Sequence, residues 1–346
     1  MTDLVLLSLG TTLGWRMGDS VFAEQLRRAG VGVEPVAVRM GAGGRLRRAY
    51  PVTDLVEALA ARRALDAALE RHHPRAVLIS TTTAAMLADP RGLPYAVRLD
   101  APASMNRPGA RNAVLHALER RALAGARLVL TWSNAGREAL PQGSAPPVVV
   151  PGPIVPSGPS PDRRERAAVA YTPDVKAKGL DVVCAAWAAA GIPGARLDVF
   201  GVEREAALAH LTRTGAPLQE NVQFHGKTSP ERFRAALRSS LAYVGGARWE
   251  DYGQAPLEAL ADGALLVTVP SGGPFEALAL ARRVGPELVA SEIAAAPLAA
   301  ALRSAFELPE DRQADYRARA AALLEPFRPE AIERTIATEV LPALLG

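Results

Sequence analysis

The chain has 346 residues, 49% of them hydrophobic and 22% charged, which suits two cores of about 150 to 180 residues each and excludes global disorder. Its net charge is +4, but the basic residues lie among acids, as at Glu119, Arg120 and Arg121, and aromatics make up only 5%, so no nucleic-acid stripe is present and a small anionic ligand explains the bias at least as well. Apolar runs such as Leu4–Trp15 fall short of the roughly 20 residues of a membrane span, Asp3 and the lack of a basic leader argue against a signal peptide, and Cys184 has no partner for an internal disulfide. The expectation is a soluble, cytoplasmic, two-domain protein.

Short aliphatic runs alternate with Ala/Leu/Arg-rich helical patterns from end to end. Strands are expected at Leu4–Leu9, Val33–Val38, Ala76–Ile79, Tyr95–Leu99, Leu128–Trp132 and Val148–Val150, and helices at 20–29, 53–71, 107–124 and 134–140. Residues 141–161 hold eight of the chain's 28 prolines, a density that sustains neither a helix nor a central strand, and read as a linker. Strands follow at Ala167–Tyr171, Leu197–Phe200, Val222–Phe224, Leu241–Val244, Leu265–Val269 and Glu287–Val289. Helices fill 179–190, 203–214, 229–239, 255–262, 273–283 and 294–306. Residues 309–346 read as two more helices, broken at Arg328–Pro329, that pack back toward the N-terminal domain. This alternation predicts two parallel, doubly wound sheets, in domains 1–155 and 162–308, with the ligand in a cleft at the carboxyl ends of the strands.

Familiar motifs fail on spacing. Gly41, Gly43 and Gly44 would need a further glycine at Leu46 to make a dinucleotide fingerprint. Gly226-Lys227-Thr228 lacks the earlier glycine of a phosphate loop, since that place is Asn221, and reads instead as a helix cap from Thr228 with Glu231. Ser133 is flanked by Thr131 and Ala135 rather than glycines, the adjacent His72 and His73 suit a helix end, and no Asp-x-Asp occurs.

The stretch Arg248–Gly263 is different. An expected buried strand ends on Gly245-Gly246, a loop carries Glu250, Gly253 permits a tight turn, and a helix opens near Ala255-Pro256 and stops at Gly263. Backbone N–H groups of residues 253–256 at that helix start suit a diphosphate, with Glu258 in the first turn and Glu250 in the loop before it. Two of the chain's three lysines, Lys176 and Lys178, sit after the strand ending at Tyr171, where a compact ammonium serves a phosphate. The alternative readings are a solvated Glu250, a Glu258 that only complements the helix dipole, and two ordinary loop lysines.

In order, Lys178-Gly179, Gly201, Val222/Phe224/Gly226, Glu250/Tyr252/Gly253/Glu258-Ala259/Ala261/Gly263 and Ser271-Gly272-Gly273 with Glu276 resemble the C-terminal half of the retaining glycosyltransferases of family 4, the group 1 glycosyltransferases. The match covers about 167–285 and includes the family's two glutamates eight residues apart. The resemblance implies the GT-B fold: α/β, two Rossmann-like doubly wound domains facing a central cleft. It also implies a retaining, hexosyl-type transferase that uses a nucleotide-sugar co-substrate with no obligatory metal or other cofactor. Lys178 then faces the diphosphate, Glu258 the ribose and Glu250 the donor sugar. Gly201, Gly226 and the backbone of Asp251, Tyr252, Gly253 and Gln254 complete the donor site.

Two departures stand out. The family's arginine six residues before the lysine is Thr172 here, so Lys176 or Arg248 has to bring the second charge. The family's histidine after the strand Tyr95–Leu99 is replaced by Arg98-Leu99-Asp100, which leaves Asp100 as the acceptor-side polar group and His116 as a surface residue. The acceptor, whether a sugar, a natural product or a lipid-linked compound, is unnamed by the sequence, and a peripheral membrane contact stays open. A nucleotide-sugar epimerase on the same fold and a non-catalytic or partner-dependent nucleotide-sugar binder are the alternatives.

Overall fold

The computed structural model describes residues 2–10, 13–40, 51–159, 161 and 163–346. The glycines tried as a dinucleotide fingerprint, Gly41 to Gly44, and Leu46 lie outside them. The chain divides into two compact units, residues 1–153 with 327–346 and residues 154–326.

The first unit runs β1 (Leu4–Ser8), α1 (Leu13–Arg28), β2 (Val33–Ala37), α2 (Val52–His72), β3 (Ala76–Ser80), α3 (Thr82–Ala85), β4 (Tyr95–Leu99), α4 (Ala103–Asn106), α5 (Ala113–Gly125), β5 (Leu128–Thr131), α6 (Asn134–Glu138) and β6 (Pro147–Val149). Its six strands pair in parallel in the order β2-β1-β3-β4-β5-β6. Crossover helices cover both faces of such a sheet, so its inner strands are apolar along their whole length. Alternate residues of β1 and β3 feed two separate cores. Leu4, Leu6 and Leu78 pack with Phe22 and Leu26 of α1, while Val5, Leu7 and Ile79 pack with Leu65 and Leu69 of α2. The first of these cores is completed by Ile332, Ile336, Val340 and Leu344, from the chain's last twenty residues.

The second unit runs β7 (Glu165–Tyr171), α7 (Leu180–Ala190), β8 (Arg196–Phe200), α8 (Arg204–Thr214), β9 (Val222–Phe224), α9 (Pro230–Ser239), β10 (Ser240–Gly245), α10 (Gln254–Ala261), β11 (Leu265–Thr268), α11 (Glu276–Val284), α12 (Ala295–Glu307) and α13 (Glu310–Leu323). The strands form a parallel sheet in the order β11-β10-β7-β8-β9. Helices α14 (Pro329–Thr335) and α15 (Leu341–Leu345) belong to the first unit. Cys184 is buried in α7, and burial pushes its thiol up to about 12, which keeps it protonated and unreactive.

Several expectations need correction. The proline-rich segment is not linker throughout: Pro147 opens β6, an edge strand, where its missing N–H costs no ladder bond, and the unit boundary falls at 153/154. Residues 309–326 stay with the second unit, because the buried Tyr316 of α13 offers its hydroxyl to the Leu266 N–H of β11 at 3.1 Å; only 327–346 pack with the first. The strand expected at Glu287–Val289 is a turn of 3-10 helix opened by Pro286, with a single bridge from Val289 to Thr268. Pro108 and Gly109 delay the helix expected from 107, so that α5 starts at Ala113. The cap of α9 is Ser229 rather than Thr228, since Pro230 takes the first helical position and Ser229 Oγ then accepts from Arg232 N.

Among the described residues no helix is long and apolar enough to cross a membrane. The segment that opens the second unit is tied down by one carboxylate. Asp262, at the end of α10, accepts from Ser157 N at 2.7 Å, from Ser157 Oγ and from Arg234 Nε at 2.5 Å. Asp262→Ala strips the half-buried Arg234 of that partner and is expected to lower unfolding stability by about 3 to 5 kcal/mol. Urea denaturation measures this, and a loss below about 1 kcal/mol would show that the anchor holds little.

Candidate functional site

Two loops meet beside the carboxyl ends of β7 and β10. The first, residues 172–179, makes a tight turn in which Lys178 N donates to Asp174 O at 2.8 Å and leads into α7. Gly179 takes φ +64°, and a Cβ there would stand 2.0 Å from the Gly246 carbonyl oxygen, so only glycine lets the loops touch. The second loop, residues 246–253, is sewn to the first by Arg248. Its N–H donates to Ala177 O at 2.9 Å, and its guanidinium holds both oxygens of Asp181 at 2.6 and 3.0 Å and the Lys176 carbonyl at 2.9 Å.

A third segment fixes Glu250 from the other side. Glu250 N donates to Gly272 O at 2.9 Å and Ser271 Oγ donates to Ala247 O at 2.6 Å. At Gly273, φ +93°, a Cβ would come within 2.4 Å of the Glu250 carbonyl oxygen. The Ser271-Gly272-Gly273 run is therefore a backbone clamp on Glu250.

With both loops set, Lys178 Nζ donates to Glu250 Oε1 at 2.6 Å. The pair lines a narrow cavity with Tyr171, Thr172, Gly246 and Pro256. Burial pushes the Glu250 carboxyl above the usual carboxylate range, while Lys178 and the Gly253 N–H pull the other way. On α10, Glu258 Oε1 accepts from Gln254 Nε2 at 2.9 Å, with Arg234 of α9 3.7 Å away. The phenol of the buried Tyr243, which lines the same cavity, is driven up by burial and by the fields of both Glu250 and Glu258.

Of the residues singled out in the sequence, Lys178, Glu250, Gly253, Gln254 and Glu258 come together here. Pro256 has no N–H, so the helix start offers donors only up to Ala255, and the Gly253 N–H is turned to Glu250. Asp251 is exposed and accepts from Trp249 Nε1 at 2.7 Å, whereas Tyr252 is buried. Lys176 is exposed, and its ammonium meets no carboxylate among the described residues. The second charge is not free on Arg248, which is engaged by Asp181. Gly201 N donates to Gly226 O at 2.8 Å, and Gly226 packs on the Glu203 carboxylate, so these two glycines brace β8 against the loop after β9.

Asp100 belongs to the first unit, where its carboxylate accepts from Ala101 N at 2.6 Å; His116, half-buried, lies 2.9 Å from the Arg107 carbonyl. Two features escaped the sequence reading. One is Thr172, a buried hydroxyl on the cavity. The other is Arg98, 2% exposed, whose guanidinium lies between the rings of Phe22 and Trp132 and donates to Asp19 at 3.0 Å. Asp19 also accepts from Ser8 and Ser80, closing the strand ends of β1, β3 and β4 around one carboxylate. No local signal in the sequence announces this pairing over 79 positions, since the acid nearest Arg98 in the chain is Asp100.

Glu258 yields a signed prediction. Burial raises its carboxyl above the ordinary value, and Gln254 and Arg234 offset only part of that. A group raised on folding stabilises the protein below its unfolded value, about 4.3, and that contribution is lost as pH rises through the folded value. Glu258→Gln is thus expected to raise the thermal midpoint of the unliganded protein at about pH 8, with the gain shrinking toward pH 5. A lower midpoint at pH 8 would contradict it.

Residues 162–321 match the family model described as glycosyl transferases group 1. No curated protein sequence matches the chain. Solved structures do. Alpha,alpha-trehalose 6-phosphate synthase from Burkholderia multivorans aligns with TM-score 0.73 at 12% identity, covering 99% of this chain and 98% of that one. A glycosyltransferase from Rickettsia africae gives 0.70 at 13% identity over 100% and 99%. Sucrose-phosphate synthase from Thermosynechococcus elongatus gives 0.64 at 15% identity over 97% of each chain. At these identities the likeness is one of fold, two Rossmann-like parallel-sheet domains of the GT-B kind. The family model covers the clamp, the lysine loop and both glutamates, so the C-terminal unit of this chain is similar to the group 1 glycosyl transferases.

Proposed function

We propose that the protein moves a sugar from a nucleoside-diphosphate sugar to an acceptor with retention of anomeric configuration. One observation carries the reading: a lysine ammonium and a half-buried carboxylate meet in a cavity at the strand ends, beside the start of the helix that bears a second half-buried glutamate. Lys178 has three N–H donors. One is held by Glu250, which leaves two for phosphoryl oxygens. When the bond from the anomeric carbon to the diphosphate breaks, the electron pair goes to the diphosphate oxygen. A fixed cation there stabilises the transition state more than the ground state.

In this reading Glu258 accepts from the ribose hydroxyls, with Gln254 and Arg234 holding its carboxylate in place. Glu250 orients Lys178 and turns its other oxygen to the donor sugar. The N–H groups of Gln254 and Ala255 supplement the lysine at the diphosphate, and no metal is required. Asp100 is the acceptor-side polar group. The names of the structural neighbours favour a hexosyl donor.

The test is a thermal-shift and calorimetric screen against the glucose and mannose conjugates of UDP, GDP and ADP. A true donor at 100 times its dissociation constant stabilises the fold by about 2.7 kcal/mol. Lys178→Ala is expected to weaken that binding and to cut turnover about 100- to 1000-fold, and NMR of the product is expected to show the donor's own anomeric configuration. A Lys178→Ala protein with near wild-type turnover, or an inverted product, would falsify the assignment.

A further inference from the structure

We infer that the Thr172 hydroxyl is a phosphate-binding group of this site, donating to a diphosphate oxygen at the position where the family resemblance leads one to expect an arginine. The inference rests on the donor-site reading above. Thr172 follows the last residue of β7, and its backbone N–H is bound to Phe200 O at 2.9 Å, so its Cα is fixed by the sheet. It is 2% exposed, and its Oγ1 has no hydrogen-bond partner among the described residues. The other buried hydroxyls in that condition, Thr131 and Ser240, do not line the cavity that Thr172 shares with Lys178 and Glu250.

An unpaired buried hydroxyl is costly, and native folds seldom keep one without a reason. The χ1 stiffness of a β-branched side chain prevents the group from turning away to a distant partner. Beside it the cavity has room for about one water molecule. That is the space of a single oxygen atom, too little for a sugar ring and enough for one non-bridging phosphoryl oxygen. Such an oxygen would take Thr172 O–H on one side and a spare Lys178 N–H on the other. The exchange of arginine for threonine replaces a charge by a directed neutral hydrogen bond, so the fixed positive charge at the diphosphate falls to Lys178.

The test compares wild type, Thr172→Val and Thr172→Ser by calorimetric titration with UDP, GDP and ADP and with their glucose conjugates, alongside thermal midpoints without ligand. Valine keeps the shape and drops the hydroxyl. The expected result is an unliganded midpoint at or above wild type, since an unpaired buried polar group has gone. With it comes affinity weakened about tenfold or more, equally for the nucleoside diphosphate and its sugar conjugate, while serine stays within about twofold. If valine destabilises the fold, the serine variant and Thr172→Ala decide the matter on the same binding readout. Wild-type affinity in the valine variant overturns the inference, because the hydroxyl then serves only a structural water. Loss confined to the sugar conjugate also overturns it. A wild-type protein that binds none of these ligands sinks the donor-site reading itself, and this inference falls with it.

Discussion

Lys178 and Glu250 stand 72 positions apart in the chain and 2.6 Å apart in space, and neither is placed by the side chain that does the touching. Their meeting depends on backbone approaching backbone at two points, Gly179 against Gly246 and Gly273 against Glu250, where a single added methyl group would force the loops apart. Arg248 then locks the first contact by gripping Asp181 with two charge-assisted hydrogen bonds. The ion pair is therefore the end of a chain of steric and hydrogen-bond constraints. Its preorganisation matters because an ammonium already in position need not be ordered when a ligand arrives.

Much of the fold could be read in advance because its strands are buried on both faces and therefore spell out plain aliphatic runs, as in Leu4–Leu7 and Ala76–Ile79. The failures share a cause. Where proline or glycine shifts an element by a few residues, as at Pro108, Pro147, Pro230 and Pro286, periodicity gives the element and misplaces its edge or its type. Tyr316 shows the other limit. It ties α13 to β11 through one hydrogen bond across 50 positions, and no local pattern announces it.

The site was legible to the extent that its chemistry is local. Glu250, Gly253 and Glu258 lie within one loop and the helix that follows it, and Lys178 is marked by the rarity of lysine in an arginine-rich chain. What was hidden is the pairing. Arg248 looked like a spare cation in sequence and is a brace in space; Thr172 looked like a missing charge and is a residue of the cavity lining whose hydroxyl is buried. In the first unit the Arg98–Asp19 pair is hidden for the same reason. A charge buried between two rings needs its counter-ion close by, yet the counter-ion can come from any element that packs there.

The division of the chain into 1–153 with 327–346 around 154–326 has a consequence for how the protein is born. One core of the first unit lacks Ile332, Ile336, Val340 and Leu344 until the last stretch of the chain has been made. Domains emerging from the ribosome usually fold in N-terminal order. Here the first sheet to be synthesised must wait with one of its cores covered by α1 but not yet completed while the whole second unit is translated, so the unit made later has all its residues in hand first. That interval, in which the core between β1, β3 and α1 lacks its C-terminal side chains, lasts as long as the translation of residues 154–326.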